Sequence, residues 1–377
     1  MSILSNMKCL SFITAIALAT IFTACSSDDI PVQHPDDYGT ITFSVKTQKL
    51  ITRSNPYEDY SPSRHPSTMG TFGYCNANIA NPIFNNDVVT YDPVEKNWTD
   101  ALNRRWEDYK GTTTFDFLAY MPQTGGASVA LTADGEYSLT IPFSIPDGMP
   151  FLFDMRQAPI ICASPDRKVA LDSKGAKLDF DHVVNMQFDQ TLTGYRLLFK
   201  LDPTMGAIRY FRIKAVSVTG DLAAAGTVSR TYSYAADGTL KTGNISWNAL
   251  QRKNYGATPV GVPYKETDDA AADNATKTLL VGADDFCQWG DVFYTIPDSK
   301  FLPTISVTYD VVLLDEDGKE VITRNDITSS ITLNKANFSN LTTGVTAMVN
   351  PIRILIQPRY LYVLADQDAY TGRLLIE

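Results

Sequence analysis

The sequence predicts an all-β fold, two β-sandwich domains in tandem, and two observations carry that expectation. Apolar residues recur mostly with period two, and the stretches between them are rich in Gly, Pro, Asn and Asp. The 20 prolines are spread along the chain and oppose long helices. Short strands with frequent turns suit antiparallel sandwiches.

The chain of 377 residues opens with Lys8 followed by an uncharged, mostly apolar run from Cys9 to Ala24. That is the layout of a signal peptide, and the run is shorter than the ~20 residues a membrane-crossing helix needs. Residues 1–24 are therefore expected to be removed. Phe22-Thr23-Ala24-Cys25 resembles a lipobox, which makes Cys25 the expected site of lipid attachment. Two or three acyl chains, at about 0.8 kcal/mol per buried methylene, anchor a protein without any helix. Ser26-Ser27-Asp28-Asp29 looks like the tag that some Gram-negative anaerobes use for lipoproteins on the outer face of the outer membrane, and it also begins a solvated tether over residues 25–38.

The first strand is read at Gly39–Lys46, where Ile41, Phe43 and Val45 share one face. A polar arginine-containing loop, Ile51–Pro56, separates it from the apolar segment Gly70–Tyr74. Leu102, Trp106 and Tyr109 fall at helical spacing and predict a short helix within Thr99–Lys110. Asp134-Gly135 and Asp237-Gly238 mark turns. Leu178–Phe188 and Tyr195–Leu201 read as core strands closing a first domain, 39–203, and Phe211–Thr219 opens a second, 204–377. The Ala- and Asp-rich stretch Thr267–Thr276 reads as an exposed loop. Ile305, Val307, Tyr309 and Val311 alternate with Ser306, Thr308 and Asp310, and Asp317-Gly318 follows, so residues 304–324 read as a hairpin. Ile352, Ile354 and Ile356 alternate with polar residues, and Leu374-Leu375-Ile376 ends the chain. Such apolar terminal strands must be paired, because bare edges invite association.

The chain carries few marks of catalysis. Its net charge of −10 provides no basic cluster for nucleic acid. No HExxH, GxSxG, Walker or GxGxxG pattern occurs. His34 and His65 lie in polar, Pro-containing sequence read as mobile, and His182 is assigned a structural place in a strand. Cys75, Cys162 and Cys287 are widely separated and odd in number, cannot form a closed disulfide framework, and are read as buried thiols, with one disulfide plus one free thiol as the alternative. Asp366–Gly372 departs from a calcium loop and reads as a turn. Trp98, Trp106, Trp247 and Trp289 are read as core fillers, with sugar-stacking platforms as the alternative. The expectation is a non-enzyme without cofactor or metal, apart from covalent lipid on Cys25.

The SSDD lipobox, the GTITFSV strand before a Thr-Arg pair, the FGY strand, TFDFLAYMP, LDFDHVVNMQF and the aliphatic C-terminal strands together resemble the fimbrillins. These are subunits of type V pili in Gram-negative anaerobes. The resemblance implies two β-sandwich domains, export as an outer-membrane lipoprotein, and cutting by an arginine-specific protease after the first strand. Arg53 is the implied position, with Arg64 as a second candidate. Loss of the strand bearing Ile41, Phe43 and Val45 would open a groove for a C-terminal strand of a neighbouring subunit. Ile352, Ile354, Ile356, Leu374, Leu375 and Ile376 are the candidate donors. The implied partners are other pilus subunits, the outer membrane, and host or bacterial surface ligands or glycans. A surface glycan-binding lipoprotein and a carbohydrate-active enzyme stand as rival readings.

Overall fold

The computed structural model describes residues 38–48, 57–175, 177–178, 180–205, 209–235, 237–261, 278–334, 349–357 and 360–363. In the first half the strands are β1 (Thr42–Gln48), β2 (Tyr57–Asp59), β3 (Thr68–Cys75), β4 (Pro82–Asp92), β5 (Asn97–Asp100), β6 (Thr114–Met121), β7 (Ser128–Leu131), β8 (Tyr137–Ser144), β9 (Ile160–Ser164), β10 (Asp166–Val169) and β11 (Val183–Gln190). The second half adds β12 (Thr193–Leu201), β13 (Arg209–Tyr234), β14 (Leu240–Thr242), β15 (Ser246–Pro259), β16 (Leu279–Val281), β17 (Cys287–Thr295), β18 (Thr304–Leu314), β19 (Glu320–Thr332), β20 (Val349–Gln357) and β21 (Tyr360–Val363). The helical segments among the described residues are three 3-10 turns, at Trp106–Tyr109, Met155–Gln157 and Pro203–Met205.

The protein is all-β, as expected, but its first half is not an open sandwich. Strands β6, β3, β4, β5, β1, β11 and β9 form one continuous sheet that closes on itself where Tyr120 and Met121 of β6 pair with Ile161 and Ile160 of β9. Alternation within each strand is the same in a sandwich and in a closed barrel, so the local pattern does not reveal closure. The barrel core holds Phe43, Phe84, Trp106, Phe115, Phe117 and Phe188.

One side of the barrel is buried on both faces. On β6, Phe115, Phe117, Ala119 and Met121 point into the barrel, while Leu118 and Tyr120 join a second core with Phe72, Tyr137, Leu139, Val228 and Tyr232. This accounts for the near-continuous apolar runs TMGTFGYC, TFDFLAYM and IICAS, since a strand covered on both faces has no reason to alternate. Gly70 belongs to the same packing: a Cβ there would lie 2.3 Å from the Tyr120 ring.

The second half is two sheets facing across one core. The sheet β17-β12-β20-β21 contributes Leu197, Phe199, Ile354 and Phe293, and the sheet β19-β18-β13-β8-β7 contributes Phe211, Ile213, Val307 and Tyr309. Strand β13 runs 26 residues, pairing first with β18 and then with β8, so it belongs to both cores. Strand pairing thus crosses the 203/204 division in both directions, through β8 with β13 and through β12 with β17 and β20.

The hairpin read at 304–324 is present as β18 and β19, with Gly318 at φ +75° in its turn, and the two other Asp-Gly turns place Gly135 and Gly238 at positive φ. The helix expected within Thr99–Lys110 is absent. Asp100 accepts from the Leu102 and Arg104 N–H groups, Asn103 turns to φ +49°, and only a 3-10 turn at Trp106–Tyr109 follows. Trp106 is buried as the spacing required, but Leu102 is 70% exposed. The stretch Thr267–Thr276 lies outside the described residues.

Candidate assembly site

Strand β1 is spliced into the barrel wall. Ile41, Phe43 and Val45 all point inward and are buried, as their alternation required, and Phe43 meets the Phe84 ring edge-on at 5.7 Å. On one side β1 runs parallel to β11 through six residue pairs, from Thr42 with Val183 to Thr47 with Phe188. On the other side the ladder is sparse: Phe43 opposite Trp98 of β5, then Lys46–Gln48 antiparallel to β2. The entry is fixed by the Ile41 N–H donating to the Arg104 carbonyl at 2.8 Å, and Arg104 is itself held by Asp87 and Asp100. Among the described strands β1 comes first in the chain.

A clasp closes over the end of β1. The Tyr60 N–H donates to the Val45 carbonyl at 3.3 Å, its ring packs against Tyr91 and Trp98, and its hydroxyl donates to the Pro66 carbonyl at 2.9 Å. Beneath it His65 is 3% exposed, with Nε2 3.0 Å from the Thr47 hydroxyl of β1. Nδ1 is buried and has no partner. His65 is therefore not part of a mobile polar segment as its sequence suggests, because a residue 18 positions earlier supplies its partner. Arg64 beside it is exposed and pairs with Glu58 at 2.9 Å.

Burial, with the Arg64 charge adding to it and Glu58 opposing it, holds His65 down at about 4. In the unfolded chain it titrates near its ordinary value of 6.5. Above pH 6.5 the ring is neutral in both states and its contribution is complete. As pH falls toward 4 the unfolded chain takes up the proton and the folded one does not, so roughly 3 kcal/mol is lost. Urea unfolding at pH 7 and pH 4 is expected to show a smaller loss, by about that amount, for His65→Gln than for the unaltered protein.

Beyond the clasp, Tyr57 of β2 donates to Asp189 of β11 at 2.8 Å, and the second oxygen of Asp189 accepts from Arg230 of β13, also at 2.8 Å. Arg230 and Tyr232 further donate to the Cys162 carbonyl. The β1–β2 hairpin is thereby tied to the strand that runs through both cores. Neither this node nor the His65 clasp has a local sequence signal, since their partners lie far apart in the chain.

At the other end, Ile352, Ile354 and Ile356 are fully buried on β20, which runs parallel to β12 through eight residue pairs and antiparallel to β21. Consecutive strands β11 and β12 thus each hold one strand in parallel, β1 in the barrel and β20 in the sandwich. Cys25, Arg53, Leu374, Leu375 and Ile376 lie outside the described residues, as do His34 and the Asp366–Gly372 segment.

The remaining sequence candidates fill structural positions. Trp98, Trp106 and Trp289 are buried, and Trp247 is half-buried with its Nε1–H donating to the Thr191 carbonyl. His182 Nε2 lies 2.8 Å from the Leu178 carbonyl, and its ring packs among Trp106 and Phe180. Cys75, Cys162 and Cys287 are free thiols; only Cys162 is fully buried, and burial pushes its thiol up to about 12. Among the described residues no group of His, Cys, Asp and Glu is arranged to hold a metal.

No family model matches the chain, and no curated protein matches it. Solved structures do. A fimbrial protein from Bacteroides vulgatus superposes over 85% of this chain and 98% of its own length, with a TM-score of 0.50 at 13% identity. The fold is that of a bacterial fimbrial protein. Candidate cell adhesion proteins from Bacteroides uniformis and Bacteroides ovatus also match, at 13% and 12% identity and TM-scores of 0.40 and 0.43, covering 86% of this chain and 96% and 95% of theirs. The fimbrillin resemblance read from the sequence holds at the level of fold.

Proposed function

We propose that the chain is a surface pilus or adhesin subunit, exported as an outer-membrane lipoprotein acylated on Cys25 and assembled by strand exchange after an arginine-specific cut. The observation that supports this best is the way β1 sits in the barrel: the first of the described strands, held along one edge by a parallel ladder and along the other by little, carrying three inward apolar side chains. Removing it would leave β11 with an open edge above an apolar groove, which a strand of like alternation fills. An Ile-x-Ile-x-Ile strand already makes the corresponding parallel pairing with β12 in the other half. Because β20 is paired on both edges, the donated strand in this scheme comes from the end of the chain, Leu374–Ile376, or from β20 after it unzips from β21.

The fold shared with a fimbrial protein supports the surface location, and adhesion to host or bacterial ligands or glycans would follow from it. The placement of all four tryptophans in packed positions counts against aromatic sugar platforms, so the structural subunit is preferred to a glycan-binding lipoprotein or a carbohydrate-active enzyme.

Intact mass and fatty-acid labelling of the protein from its native outer membrane test the export half of this reading. The expected result is an acylated chain beginning at Cys25, with the label lost in Cys25→Ala. A mature chain that begins elsewhere and carries no lipid would contradict it.

A further inference from the structure

We propose that His65 is a latch that makes the Arg64–His65 bond cleavable only once the β1–β2 hairpin has begun to leave the barrel. The inference rests on the trimming reading only in giving the cut a purpose; the shielding itself is a property of the fold.

The Arg64 side chain is exposed and available to an arginine-specific pocket, but its peptide bond is not. A protease takes its substrate as an extended strand with residues on both sides of the bond in the cleft. Here the Arg64 and His65 N–H groups both donate to the Ser61 carbonyl, at 3.1 and 3.0 Å, which folds the segment into a tight turn. The residues after the bond are inserted rather than free. His65 is 3% exposed and lies against Thr47, a fully buried residue of β1, while the Pro66 carbonyl is held by the Tyr60 hydroxyl. Presenting the bond therefore requires His65 to leave its pocket, and that breaks the contact with Thr47.

Thr47 is the last inward residue of the strand to be displaced, and Tyr60 is bonded to Val45 of the same strand. Opening the turn and releasing the end of β1 are thus one event. The latch couples proteolysis at Arg64 to strand release, and keeps a folded subunit from losing both β1 and β2 before it is ready to exchange them.

Limited digestion of folded Arg53→Gln protein with an arginine-specific protease at pH 8, so that no earlier cut after residue 53 releases β1 and with it Thr47, followed by mass spectrometry, tests this. Appearance of the terminus His65 is timed against cleavage after Arg156, which sits exposed on a separate turn. Thr47→Val removes the hydrogen bond with little change in shape, and Tyr60→Phe removes the hold on Pro66. Each is expected to raise the rate of cutting after Arg64 at least tenfold with the Arg156 rate unchanged. Rapid cutting after Arg64 in Arg53→Gln protein that keeps Thr47 and Tyr60 would overturn the proposal. So would variants in which both rates rise together, because the shielding would then be global stability. A protein that never assembles into fibres would leave the digestion result intact, so failure of the assembly reading is separable.

Discussion

A chain beginning at residue 49, without β1, is expected to lose its cooperative barrel transition and to regain it when a peptide of residues 38–48 is supplied. Ile41, Phe43 and Val45 are each buried in the barrel, and burial of such side chains is worth about 1.5–3 kcal/mol apiece. The sum is comparable with the whole stability of an ordinary domain, about 5–15 kcal/mol. Loss of six parallel pairs also exposes the edge of β11, so the truncated chain is expected to self-associate. Because β1 is held by a full ladder only along β11 and by a sparse one along β5 and β2, the peptide has an open edge to return to. Thermal unfolding checks this: the barrel transition should be missing from the truncated chain and return with added peptide, at a midpoint that rises with the logarithm of peptide concentration. A peptide carrying Phe43→Asp should not rescue, since it places an unpaired charge among Phe84 and Phe117.

Asp116→Ala is expected to cost about 3–5 kcal/mol in urea unfolding, as breaking one side of a buried charge pair does. Asp116 is fully buried on β6, receives Arg167 Nε at 2.5 Å and Nη2 at 2.9 Å, and accepts from the Tyr137 hydroxyl at 2.6 Å. Arg167 in turn lies over the Tyr234 ring at 3.6 Å. One carboxylate thus joins the barrel to β8 and to the far end of β13. Removing it strands both a guanidinium and a phenol hydroxyl. The double variant Asp116→Leu with Arg167→Met should recover most of the loss, because it removes both charges together. If the two single costs simply add, Asp116 and Arg167 do not act as a pair.

The strands of this protein were legible because one or both of their faces are buried. Thr304–Val311 announced its hairpin through strict alternation, whereas the double covering of TFDFLAYM became clear only from the fold. Asp116, a lone charge inside that run, was the signal from which its buried polar centre could have been found and was not. The length of β13 was not legible, because Gly220 at φ +152°, the alanines at 223–225 and Gly226 break the pattern, and the register shifts there. Nor was the partner of each strand: Tyr195–Leu201 reads as a core strand from its residues, but only the fold pairs it with β17 and β20. The assembly site divides the same way. The inward face of β1 followed from Ile41, Phe43 and Val45, whereas His65 acquires its place from Thr47 and the Tyr57–Asp189–Arg230 node from three separate strands.

The central claim is that the β1 slot of one copy can be filled by a strand of another. Digestion of the purified mature protein with an arginine-specific protease, followed by N-terminal sequencing and electrophoresis without boiling, tests it most directly. The account predicts copies that begin at Ser54 or, where loss of β1 has opened the Arg64 turn, at His65, and that run as a ladder resistant to detergent until heated. Copies that are cut after Arg53 yet remain monomeric would contradict it, as would copies that keep β1 in place under every condition in which fibres form.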